Sequence, residues 1–166
     1  MAIIKPNNNT LSAITGLPAA IATGKVLQVV TDVYSTEIST ANPSGSTSID
    51  SGLSASITPS STSNKILVLL SIQQQENKTG STTTLYWRTI IKANGSSIHN
   101  GQNAECVNNN TGEFGLRTSI QFLHSPNSTS EQTYTVEMDN DDGGASNMVI
   151  NRSNSPAYLT LMEVSG

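Results

Sequence analysis

The chain has 166 residues, a formal net charge of −4 and few charged residues, 8 basic and 12 acidic. This length suffices for one sizeable hydrophobic core, and the small number of basic residues argues against nucleic acid as a partner. Serine, threonine and asparagine supply 61 residues, which favours strands and turns because these side chains compete for backbone hydrogen bonds inside helices.

Residues 1–24 combine scattered apolar residues with prolines and glycines and fit neither a helical nor a strand period. We expect an extended arm that lies on another protein, because it is too apolar to stay loose in water; a frayed terminus is the alternative. The residues predicted to make this attachment are Ile3, Ile4, Leu11, Ile14, Leu17 and Ile21. No signal-peptide core and no membrane-span length of apolar residues occurs, so we expect synthesis in the cytoplasm without a cleaved signal.

From Lys25 onward the sequence predicts strands separated by turn-rich stretches. The segment "KVLQVVTDVYSTEI" opens the series, because its Val, Thr and Tyr residues suit a pleated surface. Residues 39–51 form a predicted polar loop. The strand "GLSASIT" follows, with Leu53, Ala55 and Ile57 alternating against small polar residues.

The strongest apolar run is "NKILVLLSIQ", which carries apolar residues on both faces, including Leu67 and Leu69 on the second face. It predicts a strand that is buried on both faces, or one that faces the core and contacts a neighbouring subunit. The next segment, "TTTLYWRTIIKANGSSIHNG", predicts a hairpin with Asn94 and Gly95 in a type I′ turn. Its single Trp87 is interpreted as a core anchor.

The last third of the chain alternates clearly. In "EFGLRTSIQFLH" and "EQTYTVEMDN" the apolar residues recur at every second position, and "MVINRS" and "AYLTLMEVSG" complete the series. Eight to ten strands at these spacings predict an all-β, antiparallel sandwich over residues 25–166, without a helix.

The residues that could carry chemistry do not form a recognisable motif. His99 and His124 lack metal-ligand spacing and are interpreted as surface or strand-end residues. Asp139, Asp141 and Asp142 offer oxygen ligands, but their spacing fails the EF-hand pattern, so a solvated hairpin loop is favoured and ion binding stays open. No nucleophile elbow or phosphate loop occurs, and the lone Cys106 cannot form an internal disulfide. We therefore expect neither an enzyme nor a cofactor.

Several short motifs resemble those of the distal domains of bacteriophage tail fibres and related small virion proteins. They are Gly24-Lys25 before the first strand, Thr58-Pro59 leading to Lys65–Val68, and the closing Thr160–Val164 followed by a small residue. The resemblance spans about residues 24–166, and the "PNNNT" start is similar to virion-attachment ends. It implies a homotrimeric sandwich of jelly-roll type, anchored by the arm. The chain lacks the long repetitive shaft of a full tail fibre, so it is also compatible with a short fibre, an adaptor-mounted knob or a capsid decoration protein.

A trimer would explain why the last strand is apolar on both sides. Leu159 and Leu161 would fill the sandwich, and the opposite face would meet the other protomers, although the two faces could be reversed. The residues predicted at the trimer interface are Tyr158, Met162, Val164, Leu67 and Leu69.

The leading hypothesis is a tail-fibre protein of the virion that recognises the host through its loops at 39–51, 74–83, 100–112 and 139–147. Its expected partners are two further copies, other virion proteins and a host-surface glycan or protein. The first alternative is a capsid decoration or head-fibre protein that binds the major capsid protein. A carbohydrate-binding module is disfavoured by the single Trp, and a depolymerase would need a carboxylate cluster in a groove.

Overall fold

The computed structural model describes residues 25–42, 48–78, 84–107, 112–140 and 146–166. The described residues form ten strands and one short 3-10 turn at Arg152–Asn154. The strands are β1 (Val26–Tyr34), β2 (Ile38–Asn42), β3 (Ile49–Ile57), β4 (Lys65–Lys78), β5 (Thr84–Ala93), β6 (Ser96–Val107), β7 (Gly112–His124), β8 (Gln132–Asn140), β9 (Ser146–Ile150) and β10 (Ala157–Val164). The predicted arm, residues 1–24, lies outside the described residues.

Two antiparallel sheets pack face to face. In sheet A, β4 is central, with β7 on one side and β10 followed by β9 on the other; β1 and β2 pair with β10 and β9. Sheet B has the order β3-β8-β5-β6. The pairs are nested along the chain, because β1 and β2 pair with β10 and β9, β3 with β8, β4 with β7, and β5 with β6. This nesting is the jelly-roll arrangement, so the predicted fold class is confirmed.

The core lies between the inner faces of the two sheets, as the alternation predicts. Leu53, Val136 and Leu159 are fully buried there, and Asn94 and Gly95 adopt the positive φ values of 47° and 80° expected for the hairpin turn. Leu161 is also fully buried, so the core side of the last strand is the predicted one. The side chains of Trp87 and Cys106 lie outside the description, and the core role of Trp87 remains a prediction.

The sandwich has two different ends. One end, which we call the base, contains Lys25, the turn between β3 and β4, the Asn94-Gly95 turn and Gly166. At the opposite end, which we call the loop end, the register brings together Asn42, Lys78 and Ser146, and Lys78 also pairs with Gly112. The strand ends that bound all four predicted recognition loops therefore lie at the loop end.

Those four loops are shorter than predicted, because the strands continue into them. β2 and β3 occupy much of 39–51, β4 continues to Lys78, β6 to Val107, and β8 to Asn140. The prediction assigned polar stretches to loops. In the structure, the polar residues at the end of the central strand β4 are paired with backbone hydrogen-bond partners from strands on both sides, β7 and β9. Gln74 is fully buried, and its side chain donates hydrogen bonds to Thr89 (2.9 Å) and Met138 (3.2 Å). A buried amide that is paired in this way suits a strand interior.

Candidate functional site: an apolar sheet face

The outer face of sheet A carries a row of apolar side chains that crosses the sheet from edge to edge. In register, Val29 of β1 lies opposite Met162 of β10, Met162 opposite Leu67 of β4, and Leu67 opposite Leu123 of β7. We call these four residues the apolar row. Val29 and Leu123, at its two ends, are 52% and 55% exposed. Directly opposed apolar residues on neighbouring strands form a continuous surface, which in this protein faces away from the core.

Two further rows lie beside the apolar row, toward the loop end. The first contains Thr31, Thr160, Leu69 and Gln121, and the second contains Val33, Tyr158, Ser71 and Ser119. A shallow groove of about 450 Å³ opens over β10, β4 and β7 in these rows. Its lining includes Leu69, Ser71, Ser119, Gln121, Tyr158 and Thr160. The groove exists where two small serines face each other beside the ring of Tyr158.

The outer face of sheet B is polar and serves as an internal reference. Ser56 and Thr133 share a hydrogen bond of 2.8 Å across β3 and β8, and Lys92 pairs with Glu137 across β5 and β8 at 2.5 Å. All six exposed large apolar side chains of the described residues lie on β1, β7 and β10 of sheet A: Val26, Leu27, Val29, Val33, Leu123 and Tyr158. Sheet B therefore presents a typical solvated face, whereas the outer face of sheet A combines the apolar row with two rows of mixed polarity, in which Thr31 and Thr160 share a hydrogen bond of 3.0 Å.

The five residues predicted at the trimer interface all lie on this outer face. Tyr158 is 42% exposed, whereas Met162, Val164, Leu67 and Leu69 are half-buried within the single chain. Their contact with other copies stays a prediction. Sequence reasoning missed Val29, Val33 and Leu123. The alternation of Val29, Thr31 and Val33 in β1 was the available signal, but the neighbouring Val30 and Tyr34, which pack against the core, hid which face was outward.

The base is organised around the carboxylate of Glu163 in β10, which is almost completely buried. Its Oε1 atom accepts hydrogen bonds from the Ser60 backbone N–H (2.6 Å), the Ser60 hydroxyl (2.8 Å) and the Asn64 side chain (2.6 Å). Its Oε2 atom accepts one from Gln28 at 2.6 Å. Burial opposes ionisation, but these hydrogen bonds outweigh it and lower the pKa of Glu163 to about 2.

The motifs that carry the family resemblance meet at the base. The Lys25 backbone N–H donates to the Ser165 hydroxyl (3.1 Å), and the Lys25 carbonyl accepts from the Ser165 N–H (3.0 Å). Gly166 donates to Asn64 (3.2 Å), and a Cβ at Gly166 would collide with the Ser63 carbonyl oxygen. Close packing against Ser63 thus favours glycine at position 166. Lys25, where the described residues begin, lies beside this cluster.

The two histidines lie near strand ends, as predicted, but both are half-buried and not simple surface residues. The His124 Nδ1 atom lies 2.8 Å from the hydroxyl of the buried Tyr134, and His99 stacks on Phe122 with ring centroids 5.5 Å apart. Burial lowers the pKa of His124 and raises that of Tyr134 to about 12. Both histidines lie between the sheets because β6 and β7 are the adjacent edge strands of sheets B and A.

The predicted solvated loop at Asp139 is wrong for Asp139 itself. This residue belongs to β8, is 4% exposed and lies 3.7 Å from Arg88, because β8 pairs with β5 as far as Trp87 and Asn140. Asp141 and Asp142 lie outside the described residues. Within the described part of the chain, no group of three His, Cys, Asp or Glu residues could bind a metal ion, and no helix is long and apolar enough to cross a membrane.

Comparisons with known proteins found similarity at the level of structure only. No family model matches the chain, and no curated protein sequence matches it. A chain of infectious bursal disease virus, Gx strain, has a TM-score of 0.47 at 14% identity over 90% of this chain and 43% of that chain. The VP2 subviral particle of infectious bursal disease virus has a TM-score of 0.44 at 14% identity, over 84% of this chain and 37% of that chain. Dimeric latent PorU from Porphyromonas gingivalis has a TM-score of 0.39 at 13% identity, over 87% of this chain and 14% of that chain.

This chain therefore spans less than half of the length of each of those three chains. The similar proteins include viral particles and a bacterial protein. With identities far below 25% and TM-scores below 0.5, they transfer no function to this chain.

Proposed function

We propose that this chain is a non-enzymatic virion protein of a bacteriophage, a short tail fibre that forms a homotrimer and recognises the host. The observation that carries the proposal is the apolar row on the outer face of sheet A, on the side of the sandwich opposite the polar outer face of sheet B. A water-soluble protein rarely exposes such a row unless another protein covers it. Three copies packed through sheet A would cover the three apolar rows at once and leave the polar faces of sheet B in solvent.

The difference between the two ends of the sandwich supports a fibre-like arrangement. Lys25, which follows the predicted arm, lies at the base, whereas the strand ends that bound the predicted recognition loops lie at the loop end. A predicted attachment segment at one end and polar loops at the other suit a protein that binds the virion with one end and presents the other outward. In this proposal Ile3, Ile4, Leu11, Ile14, Leu17 and Ile21 of the arm bind another virion protein, and the loop end binds a host-surface glycan or protein.

The test is the position of the protein on the virion. Gold-labelled antibody against residues 25–166 should bind at the tail in electron micrographs of phage particles. Labelling of the head shell would contradict the tail assignment and favour a capsid decoration protein that binds the major capsid protein. Absence from purified particles would contradict the virion role altogether.

The arm is tested separately by deletion of residues 1–23. The truncated protein should fold, because the described hydrogen bonds of the sandwich begin at Lys25, and it should be missing from particles assembled in its presence. Folding is checked by circular dichroism and incorporation by immunoblotting of purified virions. Incorporation at the full-length level would show that the arm is not the anchor.

A further inference from the structure

The groove over β10, β4 and β7 differs from the apolar row in the side chains that line it. One of its rows places Tyr158 beside Ser71 and Ser119, and the next places Leu69 beside Gln121. The groove thus combines an aromatic ring that is 42% exposed with short hydroxyl groups and an amide. Its volume of about 450 Å³ is within the range of sites for small ligands.

Three polar side chains of the groove are available to a ligand. Ser119 and Gln121 are exposed, and their side chains form no hydrogen bond with another described residue. The Ser71 hydroxyl accepts a hydrogen bond from Arg117 (3.1 Å), so its own hydrogen can be donated to a ligand. The groove therefore offers both hydrogen-bond donors and hydrogen-bond acceptors.

Arg117 of β7 fixes the side of the groove that faces the loop end. Besides Ser71, its guanidinium donates to the Ser155 hydroxyl (2.7 Å) and to the Pro156 carbonyl (3.1 and 3.2 Å). It therefore bridges from β7, across β4, to the segment that leads into Tyr158 of β10. A wall that is fixed before the ligand arrives lowers the entropic cost of binding.

The backbone immediately before this segment is strained. Asn151, Ser153 and Asn154 have positive φ values of 56°, 56° and 58°, a region that costs free energy for a residue with a Cβ, although asparagine tolerates it better than serine. Glu37 holds the turn, because its carboxylate accepts from the Ser153 N–H (2.6 Å) and its N–H donates to Asn154 (3.3 Å). Strain of this kind clusters at ligand sites, and here it lies next to one wall of the groove.

We propose that this groove binds one or two sugar rings of a host-surface glycan. The inference rests on the proposed host recognition and adds the class of the ligand and its site. A sugar ring presents hydroxyl groups at its edge, which suit Ser71, Ser119 and Gln121. It presents C–H groups on its faces, which suit the ring of Tyr158.

Other classes of ligand fit the groove less well. The backbones of β10, β4 and β7 are hydrogen-bonded to one another beneath it, so a peptide finds no ladder positions there through which to extend the sheet. An acyl chain needs a deep apolar cavity, whereas this groove is shallow and carries polar side chains.

The groove and the proposed contact between copies use different parts of the outer face. Burial of Ser119 and Gln121 between copies without hydrogen-bond partners would cost free energy, whereas burial of the apolar row would not. In this arrangement the copies meet over the apolar row, and the groove stays open on its loop-end side. Tyr158 and Leu69, which the sequence predicts at the trimer interface, then line the ligand site at the margin of that interface.

The class of the ligand is tested on cells of the bacterium that the phage infects. Fluorescently labelled full-length protein is titrated onto untreated cells and onto cells oxidised with periodate, which cleaves the vicinal diols of sugar rings. Cells exposed to quenched periodate are the control. Binding should saturate on untreated and control cells and should fall at least tenfold after oxidation.

Undiminished binding after oxidation would overturn the glycan as the ligand and leave host recognition standing. If the protein does not bind untreated cells, the proposed host recognition fails together with the inference.

Two variants of the full-length chain test the position of the site. Tyr158→Ala removes the ring and Ser119→Phe fills the groove, so each should raise the concentration for half-maximal binding at least tenfold. Ser54→Phe, on the exposed outer face of β3 in sheet B, is the matched control and should bind as the wild type does. Light scattering should give all three variants the mass of the wild type.

Wild-type binding by either groove variant would show that the glycan binds elsewhere and would overturn the site, while leaving host recognition standing. A lower mass of Tyr158→Ala or Ser119→Phe would also overturn it, because the groove would then lie inside the contact between copies.

Discussion

The outer faces of the two sheets are built from the same serine- and threonine-rich chain, yet they differ in the side chains they present. Sheet B uses Ser56, Thr133, Lys92 and Glu137 in cross-strand hydrogen bonds and an ion pair. Sheet A places Val29, Met162, Leu67 and Leu123 side by side. The low overall hydrophobicity therefore hides one apolar surface, which the pairing of distant strands assembles. The difference between the two outer faces indicates that sheet A is the better candidate for contact with another protein.

The strongest test of the difference places a charge on each face. Met162→Lys introduces an ammonium group into the middle of the apolar row, and burial of an unpaired charge between protomers costs several kcal/mol. The proposed trimer should dissociate to the 17.5 kDa chain, as measured by light scattering. Thr135→Lys, on the outer face of β8, should leave the mass unchanged. A Met162→Lys trimer as stable as the wild type would place that residue in solvent.

A smaller effect is expected from two carboxylates that differ in burial. Glu163→Gln removes a buried charge with four hydrogen-bond donors, and should lower the free energy of unfolding by about 2 kcal/mol. Glu137→Gln weakens a partly exposed pair with Lys92 on sheet B and should cost less than about 1 kcal/mol. Urea unfolding of the arm-deleted sandwich measures both. Equal losses of unfolding free energy would show that the buried network around Glu163 stabilises the chain no more than the partly exposed Lys92–Glu137 pair does.

The same carboxylate predicts a pH dependence. The pKa of Glu163 is about 2 in the folded chain and 4.5 ordinarily, so its contribution is complete above pH 4.5 and is lost as the pH falls toward 2. At pH 3 about 2 kcal/mol should be lost. The difference in unfolding free energy between wild type and Glu163→Gln should therefore shrink between pH 6 and pH 3. A constant difference over this range would contradict the low pKa.

The smallest effect concerns the seam between the edges of the two sheets. Burial lowers the pKa of His124, so the unfolded chain binds the proton more readily and stability should fall as the pH drops below 6.5. His124→Gln should make the free energy of unfolding less dependent on pH between 6.5 and 5. An unchanged slope in the variant would show that His124 stays accessible to protons in the folded chain.

The sequence was most informative about features that depend on a single strand or turn. Alternation in β7 and β8, the Asn94-Gly95 turn and the two apolar faces of the last strand follow from local pattern, because successive side chains of a strand point to opposite faces. The positions at which strands end could not be predicted from local alternation. Gln74 and Asp139 are polar by composition but lie in paired strands, where distant partners satisfy their hydrogen bonding.

The candidate site was only half visible in the sequence. Met162 and Leu67 stand out because their strands are apolar on both sides, whereas Val29 and Leu123 join them only through the register of four strands. The motifs of the family resemblance likewise gained a physical meaning only in three dimensions, where Glu163 meets Ser60 and Asn64. Contacts more than a hundred residues apart, such as that of Gln28 with Glu163, leave no local pattern.

The mass of the full-length protein in solution tests the central claim most directly. Analytical ultracentrifugation at micromolar concentration should give a single species of three times 17.5 kDa, because in the proposed trimer the apolar rows of sheet A cover one another. A stable species of 17.5 kDa under the same native conditions would contradict the account, since the face would then be exposed to solvent in the functional protein.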